Sequence, residues 1–224
     1  MRQAGRYLPE YNKTRAKAGS FMSLCKNPEL ACEVTLQPIE RYGFDAAILF
    51  SDILTIPDAM GMELDFVEGY GPKFNNPIDD KNDLLCVIET EIETKLDYVG
   101  SAVKLIRENL HKNTPLIGFA GSPWTLACYI LGGGGSKDDF IQVRKWLYTQ
   151  PDLLILLLER LTENIINYLT MQIKEGADAI MLFDSWGGLL SYLNFPIYSL
   201  HYLKKIITRL NQNFPTIPKI VFVK

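Results

Sequence analysis

"FDAAILFSD", residues 44–52, is apolar without a break from Ala46 to Phe50 and then stops on a hydroxyl and a carboxylate. A strand with one wet face alternates apolar and polar side chains, whereas a short run apolar throughout is a strand buried on both faces. The same pattern returns in "PLIGFA" at 115–120, "ADAIMLFDS" at 177–185 and "KIVFVK" at 219–224. Helical patterns lie between these runs. Asn27 before Pro28 opens one of them, and Leu30, Val34 and Leu36 carry it to Gly43, a C-terminal cap after Arg41 and Tyr42. Val99, Ala102, Val103, Ile106 and Leu110 recur at helical spacing, Ser122-Pro123 opens a further helix, and a long pattern from Pro151 closes at Gly176. A stretch from Tyr198 to Leu210 leads into the last strand. Buried strands alternating with helices predict an α/β chain built on a parallel sheet covered on both sides. The pattern leaves a closed barrel and an open sheet as alternatives.

Composition excludes several classes of partner. With 224 residues, 47% hydrophobic and 22% charged, the chain has the apolar content for a sizeable core. A net charge of -3 argues against nucleic acid and acidic membranes, which require a basic face, so an anionic ligand must be met by local arginines. Cys25, Cys32, Cys86 and Cys128 show no CxxC spacing, so no metal site is expected and the four read as reduced thiols. The longest apolar run, Leu153 to Leu158, is far short of the roughly 20 residues of a membrane helix and reads as core. With no signal peptide in view, a soluble, cytoplasmic chain is the expectation; a plastid is the alternative if a transit peptide precedes Met1.

Three strands end on polar side chains: Ser51-Asp52, Ser122 and Asp184-Ser185. In both α/β architectures the ligand sits at the carboxyl ends of the strands, which places these residues in one site. Taken singly, each is also a plain N-cap of the helix that follows. Weaker signals add little. "GGGG" at 132–135 follows a helical pattern and lacks the Gly-Lys-Ser/Thr of a phosphate loop, so a flexible loop is predicted. Of the two histidines, His111 sits at a helix end among Asn and Lys, where exposure is expected, and neither it nor His201 belongs to a Ser-His-Asp triad.

At the amino terminus, "MRQAGRYLPEY" brackets a small, hinge-like Gln3-Ala4-Gly5 between Arg2 and Arg6. This stretch resembles the first signature of the uroporphyrinogen decarboxylase family, and "GFAGSPWTLACY" at 118–129 resembles the second. "FSDIL" at 50–54 and "LFDSWGG" at 182–188 follow in the family's order. The resemblance spans Met1 to Lys224 and implies a (β/α)8 TIM barrel, incomplete in this chain, with residues 1–224 as one barrel domain truncated at both ends. It implies cofactor-free and metal-free removal of the four acetate carboxyls of uroporphyrinogen III to give coproporphyrinogen III, in haem and tetrapyrrole synthesis, by a homodimer.

For the site, the resemblance implies that Arg2 and Arg6 hold the substrate's acid arms, with Gln3 and Ala4 against the macrocycle and Arg15 as a further contact. A guanidinium offers a carboxylate a planar two-pronged partner. Asp52 matches the carboxylate that stabilises a cationic pyrrole, Arg2 is also the proton-donor candidate, and Tyr129 and Ser185 match positions that bind substrate carboxylates. Two rivals stand beside this reading. One is a zinc-dependent corrinoid methyltransferase of the related barrel family. The other is an inactive fragment, since four strands in 224 residues fall short of eight and the family's late histidine has no match. The isolated chain is therefore expected not to turn over.

Overall fold

The computed structural model describes residues 5–67, 69–78, 80–88, 91–92, 94–135 and 140–224. Its centre is a four-stranded sheet of β1 (Ala47–Ile48), β4 (Leu116–Gly121), β5 (Ala179–Asp184) and β6 (Lys219–Val223). Between β1 and β4 in the chain, β2 (Leu64–Val67) and β3 (Gly71–Phe74) form a separate antiparallel hairpin. The four sheet strands are those expected from the apolar runs, and every pairing among them is parallel.

Strand order settles what periodicity left open. The sheet strands lie side by side in their sequence order, with no reversal, as successive strands of a barrel do; a doubly wound sheet turns back at a switch point. The arc is open. Every residue of β4 is buried, whereas Ile220 to Val223 of β6 are exposed on both sheet faces.

The helix signals in the sequence act as read. The Asn27 side chain accepts from the Leu30 N–H at 2.8 Å, and Gly43, at φ 62°, closes helix Pro28–Tyr42 in the left-handed region. Ser122 caps helix Pro123–Leu131 through the Thr125 N–H. Helix Pro151–Lys174 packs against β4 and β5 and buries Leu154, Leu157 and Leu158 completely. Ile155 and Leu156 of the same run are 38% exposed, so only one helical face of that cluster is core.

Two polar devices brace the strands, one in the middle of β4 and one at the amino ends. Gln172, fully buried, accepts from the Phe119 N–H (2.8 Å) and donates to the Phe119 carbonyl (3.1 Å) in the middle of β4. At the amino ends of the strands, Arg107 donates to the carbonyls of Leu110, His111 and Thr114 and to the Asp178 carboxylate, whose Oδ2 also takes the Leu116 N–H. The carboxyl ends are thereby left for other side chains.

The glycine run differs from expectation. Gly134 is buried at φ 113° with its Cα so close to Pro72 that a Cβ would stand 2.5 Å from the Pro72 carbonyl, and the Phe74 N–H bonds the Gly133 carbonyl. Gly132–Gly135 is therefore a packed crossing beneath the hairpin. Glycine is used here for close backbone approach and a positive φ.

Candidate functional site

The first cluster forms where β1 ends. Asp52 follows the strand in a tight turn: its Oδ1 accepts from the Leu54 N–H at 2.9 Å and its carbonyl from the Thr55 hydroxyl at 2.9 Å. Asp52 is therefore not the N-cap of the short helix Thr55–Pro57, whose cap position is Leu54; its bonded oxygen closes an Asx turn. Asp52 keeps a partial opening to solvent, yet protein surrounds it on most sides, and that burial raises its pKa against the opposing pull of the Leu54 N–H and the Arg6 charge. A carboxylate in such surroundings exerts a field that water does little to screen.

Arg6 lies in the turn that Gly5 opens, where the Leu8 N–H bonds the Gly5 carbonyl at 2.8 Å. Its guanidinium sits over the Phe21 ring, 4.6 Å from the centroid. The same positive charge acts on Asp52, Cys25 and Tyr11, so these groups face one electrostatic space. Arg15 contributes to that space at Cys25 and Tyr11 while its Nη1 donates to the Gly19 carbonyl at 2.9 Å, closing its own helix Pro9–Ala18. Burial first, and the Asp52 charge second, push the Cys25 thiol well up, which keeps it protonated and inert. Arg2, Gln3 and Ala4 lie outside the described residues.

The second cluster forms where β4 and β5 end. Asp184, the last residue of β5, is completely buried and accepts three hydroxyls: Ser122 (2.6 Å) and Thr125 (3.0 Å) on Oδ1, and Ser199 (2.6 Å) on Oδ2. Ser185 follows it, partly exposed, and then Trp186, whose N–H reaches the Thr125 hydroxyl at 3.3 Å and whose carbonyl accepts the Trp124 indole at 2.8 Å. Tyr129, on the helix that Ser122 caps, presents its ring edgewise to Phe140 (5.4 Å) and Trp186 (6.3 Å). The Trp186 indole nitrogen is buried and has no partner among the described residues.

The three polar strand ends thus meet at one edge of the sheet, as expected, but in two clusters: Arg6, Arg15 and Asp52 at β1, and Tyr129 and Ser185 at β4 and β5. The clusters abut at Gly121, where a Cβ would stand 3.2 Å from the Ile53 Cβ. A groove of about 700 Å³ lies alongside, between the hairpin, the glycine run and helix Ile141–Thr149. It adjoins the second cluster through Phe140 and carries Lys73 and Lys145. Among the described residues no three His, Cys, Asp or Glu side chains gather as a metal's ligand set.

Sequence reading missed Phe21, Thr125, Trp186 and Ser199. Thr125 and Trp186 lie inside quoted signatures and could have been found there; nothing in the sequence marks Phe21 or Ser199, which act through contacts made only after folding.

The chain has clear relatives among known proteins. The family model described as uroporphyrinogen decarboxylase (URO-D) matches residues 1–224. A uroporphyrinogen decarboxylase of Legionella pneumophila (strain Paris) is 54% identical over 224 residues, all of this chain and 63% of the relative. That of Vesicomyosocius okutanii (strain HA) is 55% identical over the whole chain and 64% of its own length, and that of Pectobacterium atrosepticum is 56% identical over 212 residues. The chain therefore spans somewhat less than two thirds of these relatives. Among solved structures, a methyltransferase from Methanosarcina mazei superposes with a TM-score of 0.72 at 22% identity, over 95% of this chain and 61% of that one. At that identity the likeness is one of fold.

Proposed function

The chain belongs to the uroporphyrinogen decarboxylase family, and from that premise we propose that it supplies the amino-terminal cluster of a site that decarboxylates the acetate arms of uroporphyrinogen. The observation that carries the reading is a half-buried carboxylate, Asp52, at the end of β1 with the positive charge of Arg6 near enough to act on it. An octacarboxylate substrate needs cations for its arms and an anion for its ring.

The chemistry follows from where the electrons go. Protonation of a pyrrole ring carbon makes the ring cationic. The acetate C–C bond then breaks, carbon dioxide leaves, and the electron pair neutralises the ring as an exocyclic methylene; a second proton converts the methylene to methyl, and the ring carbon gives back the first proton to restore the neutral pyrrole. The ring is its own electron sink. Asp52 beneath the pyrrole N–H groups stabilises the cation, and because the carboxylate is already held by the Leu54 N–H, little reorganisation accompanies the charge. Arg6, Arg15, Tyr129 and Ser185 bind carboxylate arms, with Arg2, Gln3 and Ala4 completing the binding face. Arg2 is the weaker half of the assignment as proton donor, because a pKa above about 12 makes a guanidinium a poor general acid.

Residues 1–224 as one barrel domain, a homodimer and a cytoplasmic setting belong to the same proposal. Among the described residues no helix is long and apolar enough to cross a membrane. The test is an anaerobic assay of the full-length gene product with uroporphyrinogen, followed by separation of the oxidised porphyrins by carboxylate number. Stepwise appearance of products ending at four carboxylates supports the reading; unchanged substrate rejects it.

A further inference from the structure

Asp184 never meets the space that Arg6 and Asp52 face, yet it collects more side-chain hydrogen bonds than either. Its two oxygens join three elements. Ser122 and Thr125 come from the first turn of the helix after β4, and Ser199 from the segment Pro196–Leu200 that leads into the last helix. Its own carbonyl takes the Lys224 N–H at the end of β6. Gly187 is bare because the loop folds back over the carboxylate, and a Cβ there would stand 2.5 Å from Oδ2.

The donors also extend the network to the residues around Ser185. The Thr125 hydroxyl gives its proton to Asp184 and accepts the Trp186 N–H, so the carboxylate orients the acceptor that holds Trp186. The Ser122 hydroxyl gives its proton to Asp184 and accepts the Thr125 N–H, so the carboxylate also orients the cap of the helix that carries Tyr129. Ser185 sits between two tethered neighbours: Asp184 through its side chain and Trp186 through both its N–H and its carbonyl. We infer that Asp184 is a positioning residue that acts through Thr125 to hold Ser185 at a set distance from Tyr129, so that the two hydroxyls form a preorganised pair for one carboxylate arm of the ligand. Simple burial of an acid gives no reason for its donors to be the groups that anchor both candidate ligand-binding elements.

The inference rests on the reading of Ser185 as a substrate contact, and the experiment separates the two. Steady-state kinetics of the full-length gene product with uroporphyrinogen are measured for Thr125→Val, Thr125→Ser, Ser185→Ala and the Thr125→Val/Ser185→Ala double variant, each with a thermal melt. Thr125→Val keeps the shape and removes the relay; it should raise KM about tenfold with kcat within about threefold, and Thr125→Ser should restore KM. In the Ser185→Ala background the same Thr125→Val change should add less than about twofold. If Thr125→Val does not fold, Thr125→Ala, which also removes the relaying hydroxyl, takes its place with the same expectation. A raised KM that persists in full without Ser185, or no rise at all where Ser185→Ala does raise KM, overturns the positioning role. A wild-type KM for Ser185→Ala alone rejects the substrate contact itself, and the inference with it.

Discussion

The Arg6 guanidinium lies 4.6 Å from the centre of the Phe21 ring, over its face, and the helix that carries Phe21 also carries Cys25, which feels both Arg6 and Asp52. An aromatic face holds a guanidinium in one plane while leaving its N–H edge for a partner, at a gain of about 0.5–2 kcal/mol. The arginine is thereby restrained before any ligand arrives.

Arg6→Lys should therefore cost more than a charge-conserving change does on an open surface. The lost second hydrogen bond to a carboxylate is worth roughly 1.5–3 kcal/mol, about tenfold or more in substrate affinity. Steady-state kinetics of the full-length gene product check it, and an unchanged KM and kcat would remove Arg6 from the site.

Asp52→Asn separates function from stability. Asn preserves the size and the acceptor for Leu54 N–H but deletes the charge, so kcat should fall by orders of magnitude. Stability should move the other way. Burial raises the carboxyl pKa in the folded chain, so the folded state holds its proton more tightly than the unfolded one, and stability is lost as pH rises from the ordinary carboxylate range through the raised folded value. The variant escapes that loss. Its Tm should exceed the parent's at neutral pH, and the difference should vanish below the ordinary carboxylate range. Normal turnover with an unchanged pH–Tm profile would leave Asp52 as a turn residue and nothing more.

Gly118→Ala tests the buried amide in the sheet. The new methyl would meet Gln172 Oε1 at 2.4 Å, and that oxygen cannot swing away without releasing the Phe119 N–H. Destabilisation of about 1–3 kcal/mol is expected in chemical denaturation. Gln172→Ala should be costly alone yet far less than additive with Gly118→Ala, because the shared clash disappears. Full additivity would place the strain elsewhere.

The 224-residue polypeptide on its own should self-associate and fail to decarboxylate uroporphyrinogen. Ile220, Val221, Phe222 and Val223 are 36–44% exposed on a parallel strand whose outer edge is unpaired, an arrangement that recruits strands from other chains. Val221→Lys with Val223→Lys charges one face of that edge and should shift size-exclusion profiles towards monomer. A monodisperse, active parent polypeptide would refute the expectation.

The strands Ala47–Ile48, Leu116–Gly121 and Ala179–Asp184 were legible inside the apolar runs because both sheet faces of a parallel strand demand apolar side chains, and this requirement is written along the segment itself. Helix ends were legible for the same local reason: Asn27, Ser122 and Gly43 satisfy or release backbone groups within four residues of themselves. Asp52 and Ser185 were likewise legible as polar strand ends, while Arg6 and Tyr129 were marked only by the two signatures. The hairpin at Leu64–Phe74 was not legible, because its strands are short and its pairing is fixed partly by the glycine run some sixty residues further on. Nor were the partners of Asp184, which lie 62, 59 and 15 residues away along the chain. A periodicity reports the environment a segment needs, but a hydrogen bond between distant side chains exists only once packing has brought them together. Which polar strand ends stay partly open, as Asp52 and Ser185 do, and which, like Asp184, are wholly buried among their donors was therefore decided by the tertiary structure alone.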